Sequence, residues 1–206
     1  MSKIKKMLLG IGFMFALLIG TPVFAYAATL STQTITGTPG DSVTVDLSYA
    51  DQGSSVSALN FDLTYDASRL TFTSVTIGAA GTSASKIVSS NTVSSGLEKV
   101  IVYGINTTVI GDGVLLSATF TIKSAAADGS AVISIGGIVG SSPTAQAVPI
   151  TPISGGVTVD GIAPTVIITE PLDGADVASG TVTVSGTVDD STVAVVDVNG
   201  TAMNVP

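Results

Sequence analysis

The chain has 206 residues with no cysteine, histidine or tryptophan, and its formal charge is −8 at pH 7. Those absences exclude Ser–His and Cys–His nucleophile pairs, ordinary zinc sites and a disulfide framework. Seven basic residues against fifteen acidic ones leave no surface for a phosphate backbone, which excludes nucleic acid as a partner.

The chain opens with Lys3, Lys5 and Lys6, an apolar run over Met7–Gly20, and the small-residue triplet Ala25-Tyr26-Ala27. That is the pattern of a cleavable secretory signal over residues 1–27, so the protein is expected outside the cell or at its surface, with membrane contact confined to this segment. Its removal takes three of the seven cations and none of the fifteen acids, leaving 4 − 15, or −11. Such a charge keeps an exported protein soluble.

Beyond residue 30 no helical period stands out. Short β-branched runs recur, separated by Gly, Asp, Ser and Pro clusters, as in sandwiches and barrels. The first expected strand is Thr32–Thr36. In Val43–Tyr49, Val43, Val45, Leu47 and Tyr49 form the inward set, alternating with Thr44, Asp46 and Ser48. Burying four such side chains gives roughly 6–12 kcal/mol, while ordering seven residues costs about 7–14 kcal/mol. One strand breaks even, so two sheets must pack face to face.

The most informative stretch is Ala58–Gly78. Phe61, Leu63 and Tyr65 alternate with Asn60, Asp62 and Thr64, which is the period of a strand with one buried and one wet face. A polar turn, Asp66-Ala67-Ser68-Arg69, leads to a second apolar run through Leu70, Phe72, Val75 and Ile77. The unit reads as a hairpin. Further strands are expected at Ile87–Ser89, Lys99–Ile105, Val114–Lys123, Ala131–Ile135 and Gly156–Val159. In Val114–Lys123 the apolar face is Leu116, Ala118, Phe120 and Ile122.

A boundary falls near Gly161-Ile162-Ala163-Pro164, after which the β texture restarts with Pro164–Ile168, Pro171–Gly174, Val182–Asp189 and Val196–Gly200. Asn199-Gly200 is a hairpin-turn signal. This segment resembles the opening half of a bacterial Ig-like module. Residues 161–206 are thus expected to be an incomplete one, too short for an independent core.

Residues 28–160 resemble a cohesin domain. The resemblance rests on the strand–Tyr65-Asp66–strand unit, with support from Pro39–Asp51, Gly111–Lys123, Ala126–Ile135 and Gly155–Val159. It implies a jelly-roll β-sandwich, all-β, that is not an enzyme. It also implies a partner, the small helical dockerin module of another extracellular protein, received on an exposed sheet face in polysaccharide-degrading assemblies. The face implied carries Ala58, Asn60, Asp62 and Thr64. Asn60 stands where many cohesins carry a polar contact; Ala58 stands where others carry Asn.

Other readings remain open beside docking. A structural spacer of the S-layer kind needs no dockerin. A carbohydrate-binding module normally needs exposed aromatic faces; Tyr49 and Tyr65 sit on apolar faces, and only Tyr103 is free to serve. Catalysis would have to fall to carboxylates, and Asp62 and Asp66 stand ~13 Å apart along a strand, too far for a retaining glycosidase pair. Asp189-Asp190 lies in a turn-like stretch. Calcium, which extracellular sandwiches often bind, would take Asp and Asn oxygens and backbone carbonyls, but no D-x-D-x-D-G loop occurs. Asp41, Asp51, Asp112, Asp128 and Asp173 each lie near a glycine and read as turn residues.

Overall fold

The computed structural model describes residues 27–162, 164–176, 180–189, 196–198 and 201–203. Residues 1–26 of the expected signal segment and the Asn199-Gly200 turn lie outside the described residues, as does Asp190. Twelve strands of residues 28–159 form two sheets packed face to face. They are β1 (Ala28–Thr32), β2 (Thr34–Gly37), β3 (Ser42–Ala50), β4 (Ala58–Tyr65), β5 (Leu70–Ile77) and β6 (Ile87–Ser94). After these come β7 (Leu97–Tyr103), β8 (Gly113–Ile122), β9 (Gly129–Ser141), β10 (Ala147–Val148), β11 (Ile150–Ile153) and β12 (Gly155–Val159). One helical turn, α1 (Ala79–Ser83), joins β5 to β6.

The first sheet runs β11-β1-β3-β8-β5 and the second β2-β12-β9-β4-β7-β6, with β10 beside β9. Most neighbours are antiparallel; β1 with β11 and β2 with β12 are parallel. The all-β jelly-roll sandwich expected from the sequence is the fold observed.

The core lies between the sheets. Val45, Leu47 and Tyr49 of β3 and Leu116, Ala118, Phe120 and Ile122 of β8 are buried, as are Phe61, Leu63 and Tyr65 of β4. Phe120 is its aromatic centre, meeting Tyr65 edge-on at 5.3 Å and Phe72 at 5.7 Å, the arrangement ring quadrupoles favour.

Three expectations are corrected. Ala58–Gly78 is not a hairpin: β4 pairs with β7 and β9, whereas β5 pairs with β8 in the opposite sheet. The Asp66–Arg69 turn carries the chain across the sandwich, so Phe61 and Leu63 from one side and Leu70 from the other enter the same core. The step from Phe72 to Val75 in the apolar pattern is a bulge, seen as a register shift between Phe72 and Ser74.

Thr32–Thr36 is likewise two strands in different sheets. Gln33 is the joint: its N–H donates to Asp46 O in one sheet and its carbonyl accepts from Gly156 N–H in the other. Gly155 is required there, because a Cβ would lie 2.2 Å from the Thr32 carbonyl oxygen. Finally, β9 extends well past Ile135 to Ser141 and β6 past Ser89 to Ser94.

Beyond residue 160, β13 (Thr165–Glu170) pairs with β14 (Ser185–Asp189), and β15 (Val196–Val198) with β16 (Thr201–Met203). Gly174 turns with φ +73°, where Pro171–Gly174 was expected to turn. Val166, Ile167 and Ile168 are exposed along β13.

Candidate functional site

In β4 the pleat sends Leu59, Phe61, Leu63 and Tyr65 inward and leaves Ala58, Asn60, Asp62 and Thr64 on the outer face of the second sheet. The structure therefore brings the four sequence-predicted residues together in one outward row along the central strand. Neighbouring strands add residues that sequence reasoning did not assign to this face. Asn60 lies between Val139 of β9 and Ile101 of β7. Asp62 lies between Gly136 and Lys99, and Ile101 is flanked by Ser89 of β6. Tyr103 pairs with Ile87 at the sheet edge.

The face is divided by chemistry. Val139, Ile101, Tyr103 and Ile87 are all exposed, at 39–53%, and form an apolar band that Asn60 interrupts between Val139 and Ile101. Around Ala58 the band dips into a shallow dent lined by Ala58, Leu59, Asn60, Ile101, Val139 and Ser141. Next to the band, Lys99 Nζ donates to Asp62 Oδ1 at 2.6 Å. Gly137 shapes that border: its φ is +54°, and a Cβ would stand 3.2 Å from Asp62 Oδ2. Large apolar side chains left exposed together on one sheet face, among polar groups, are the mark of an interaction surface.

The turn after the face is built for rigidity. Asp66 Oδ1 accepts from Ser68 N–H at 2.9 Å and from the Ser68 hydroxyl, while Oδ2 accepts from Arg69 Nη1 at 2.7 Å. The Ser68 hydroxyl first, and then Arg69, lower the Asp66 pKa to about 2. Arg69 Nε also donates to Ala127 O, and Lys123 Nζ to Ala67 O. Asp66 thus serves the turn, as its sequence context implied.

Four of the other aspartates near glycine also accept backbone N–H groups. Asp41 takes Thr38 N–H, which holds its carboxyl below the ordinary value. Asp51 takes Gly53 N–H, Asp112 takes Asp51 N–H and Asp128 takes Gly161 N–H. Among the described residues no three carboxylates are grouped to hold a metal ion. Nor is any described helix long and apolar enough to cross a membrane.

The sheet order, the parallel closing strands and a broad sheet face with an exposed apolar band define the class: a jelly-roll β-sandwich module. The cohesin domain profile matches residues 28–159, and the chain belongs to that family. Among solved structures, the sixth cohesin of scaffoldin B from Acetivibrio cellulolyticus, solved in complex with a mutant Cel5 dockerin, is 31% identical. That match covers 66% of this chain and 100% of that chain, with a TM-score of 0.58. The cohesin CaCohA2 from Clostridium acetobutylicum is 23% identical over 66% of this chain and 93% of its own, with a TM-score of 0.57. A non-cellulosomal cohesin from the archaeon Archaeoglobus fulgidus is 18% identical over 66% and 93%, also at 0.57. No curated protein matches the chain.

Proposed function

We propose that residues 28–160 form an exported, non-catalytic docking module that receives a dockerin-bearing protein on the outer face of β9-β4-β7-β6. The observation that carries this reading is the apolar band of Val139, Ile101, Tyr103 and Ile87. It lies against Asn60 and the Asp62–Lys99 pair. An apolar centre supplies desolvation and flanking polar groups fix register. Support comes from the scaffoldin B cohesin, which was solved in complex with a dockerin. Residues 1–27 direct export, and residues 161–206 contribute an Ig-like segment. The setting is an extracellular assembly acting on polysaccharide, with the catalysis left to partners.

The test is titration calorimetry of the mature chain against the dockerins encoded in the same genome. Binding by at least one, weakened about tenfold or more (~1.4 kcal/mol) by Asn60→Ala or Ile101→Asp, is the expected result. A genome with no dockerin, or binding unchanged by both substitutions, rejects the reading in favour of a structural spacer. Direct sugar binding would be carried by Tyr103 alone, and a single ring makes no platform. The chain is therefore expected to pass unretarded through polysaccharide affinity gels.

A further inference from the structure

Lys86, between α1 and β6, is only 3% exposed. The ion pairs among the described residues are Arg69–Asp66 and Lys99–Asp62, and neither includes it. A buried ammonium without a counter-ion is costly, and burial pushes the Lys86 pKa down from its ordinary value. The hydrogen bonds of the amine go to a single residue. Lys86 Nζ donates to Asn106 Oδ1 at 2.7 Å and to the Asn106 backbone oxygen at 3.2 Å.

The Asn106 carboxamide is held at both ends. Its Oδ1 also accepts from Thr108 N–H at 3.0 Å, and its Nδ2 donates to Ser85 O at 3.0 Å. Ser85 adopts φ +53°, a conformation uncommon for a residue with a side chain, directly before the lysine. The cluster has the parts of an acyl-transfer site: a buried amine nucleophile, a carbonyl oxygen with a backbone donor on it, and a nitrogen leaving group fixed by an acceptor.

We propose that Lys86 and Asn106 join through an intramolecular amide. Nζ gives one proton to solvent and attacks Cγ of Asn106. The Nζ–Cγ bond forms as the Cγ–Nδ2 bond breaks, a second Nζ proton ends on Nδ2, and ammonia leaves. The step is redox-neutral and needs no cofactor or third reactant. Holding amine and carboxamide together supplies effective concentration, and Thr108 N–H stabilises charge on Oδ1 during addition. The product ties the α1–β6 connection to the β7–β8 loop in a chain that has no cysteine for a disulfide. The same loop carries Ile105 fully exposed.

The experiment is the intact mass of the full chain, purified and incubated at mildly alkaline pH, followed by tryptic mapping. The expected mass is lighter by one ammonia. Because an acylated lysine resists trypsin, Leu70–Lys99 should remain uncut at Lys86 and stay joined to Val100–Lys123. Lys86→Arg and Asn106→Ala should each restore separate peptides and the full mass. A wild-type chain of unchanged mass, cut normally after Lys86, overturns the proposal whether or not either variant folds and whatever the chain binds.

Discussion

Lys99 reaches across from β7 to Asp62 of β4 and ion-pairs with it at 2.6 Å, on the outer face of the sheet. The Lys99 side chain is 59% exposed and that of Asp62 34%. An exposed pair of this kind adds little to stability, about 0.2–1 kcal/mol. Asp62→Ala should therefore leave the melting temperature nearly unchanged while weakening partner binding. Calorimetry on the variant, run beside thermal unfolding, separates the two effects; equal losses in both would assign the pair to the fold.

Gly137 sits at the border of that pair with a left-handed backbone. Gly137→Ala adds strain of about 1 kcal/mol and pushes a methyl group toward the Asp62 carboxylate. Chemical denaturation should report a loss of that order, and binding should fall beyond what Asp62→Ala alone produces.

Asp66 gives the fold an acid limit. Its folded pKa of about 2 lies below its ordinary value of 3.8, so the folded state favours the ionised form. That stability is present above pH 4 and is lost as pH falls from about 4 towards 2. Urea midpoints across this range should drop for the wild type. Asp66→Asn should begin about 1–2 kcal/mol lower at pH 7 and fall less steeply.

Tyr49 sets the opposite limit. Burial first, and then the charges of Asp51 and Asp112, raise its pKa to about 12. The unfolded chain releases this proton near pH 10 and the folded chain does not, so stability is lost between pH 10 and 12. Its hydroxyl is buried without a hydrogen-bond partner. Tyr49→Phe should thus be neutral or stabilising by up to about 1 kcal/mol at pH 7, and should flatten the alkaline decline measured by denaturation.

Phe120 touches both sheets' aromatics and is fully buried. Phe120→Ala should cost about 3–5 kcal/mol, read from the denaturation midpoint. Phe120→Leu, which leaves a smaller void, should cost less than half as much.

The sequence made the inward faces of β3, β4 and β8 legible because strict alternation is a local property of a half-buried strand. It did not reveal that β4 and β5 belong to different sheets, since a turn pattern records where the chain bends and not which edge it then joins. The four outward residues of β4 were readable from the polar half of the alternation. Ile101 was not, and Tyr103 stood out only as the one tyrosine not on an apolar face: Val100 and Val102 alternate with them and are equally apolar, so composition cannot say which set is buried. Val139 was hidden by the glycine-rich end of β9, where Gly136, Gly137 and Gly140 break the β signal. The start of β1 at Ala28 was obscured because it adjoins the expected cleavage triplet.

The parallel pairing of β1 with β11 and of β2 with β12 has a mechanical consequence. Ala28 lies beside Ile150, and Val159 beside Gly37, so in each sheet one of the first two strands runs beside one of the last two in the same direction. Tension applied between Ala28 and Val159 slides these strands along one another and loads their backbone hydrogen bonds simultaneously. A module held in a chain under flow or pull would resist extension as a clasp in shear, whereas an antiparallel closing hairpin would open one bond at a time.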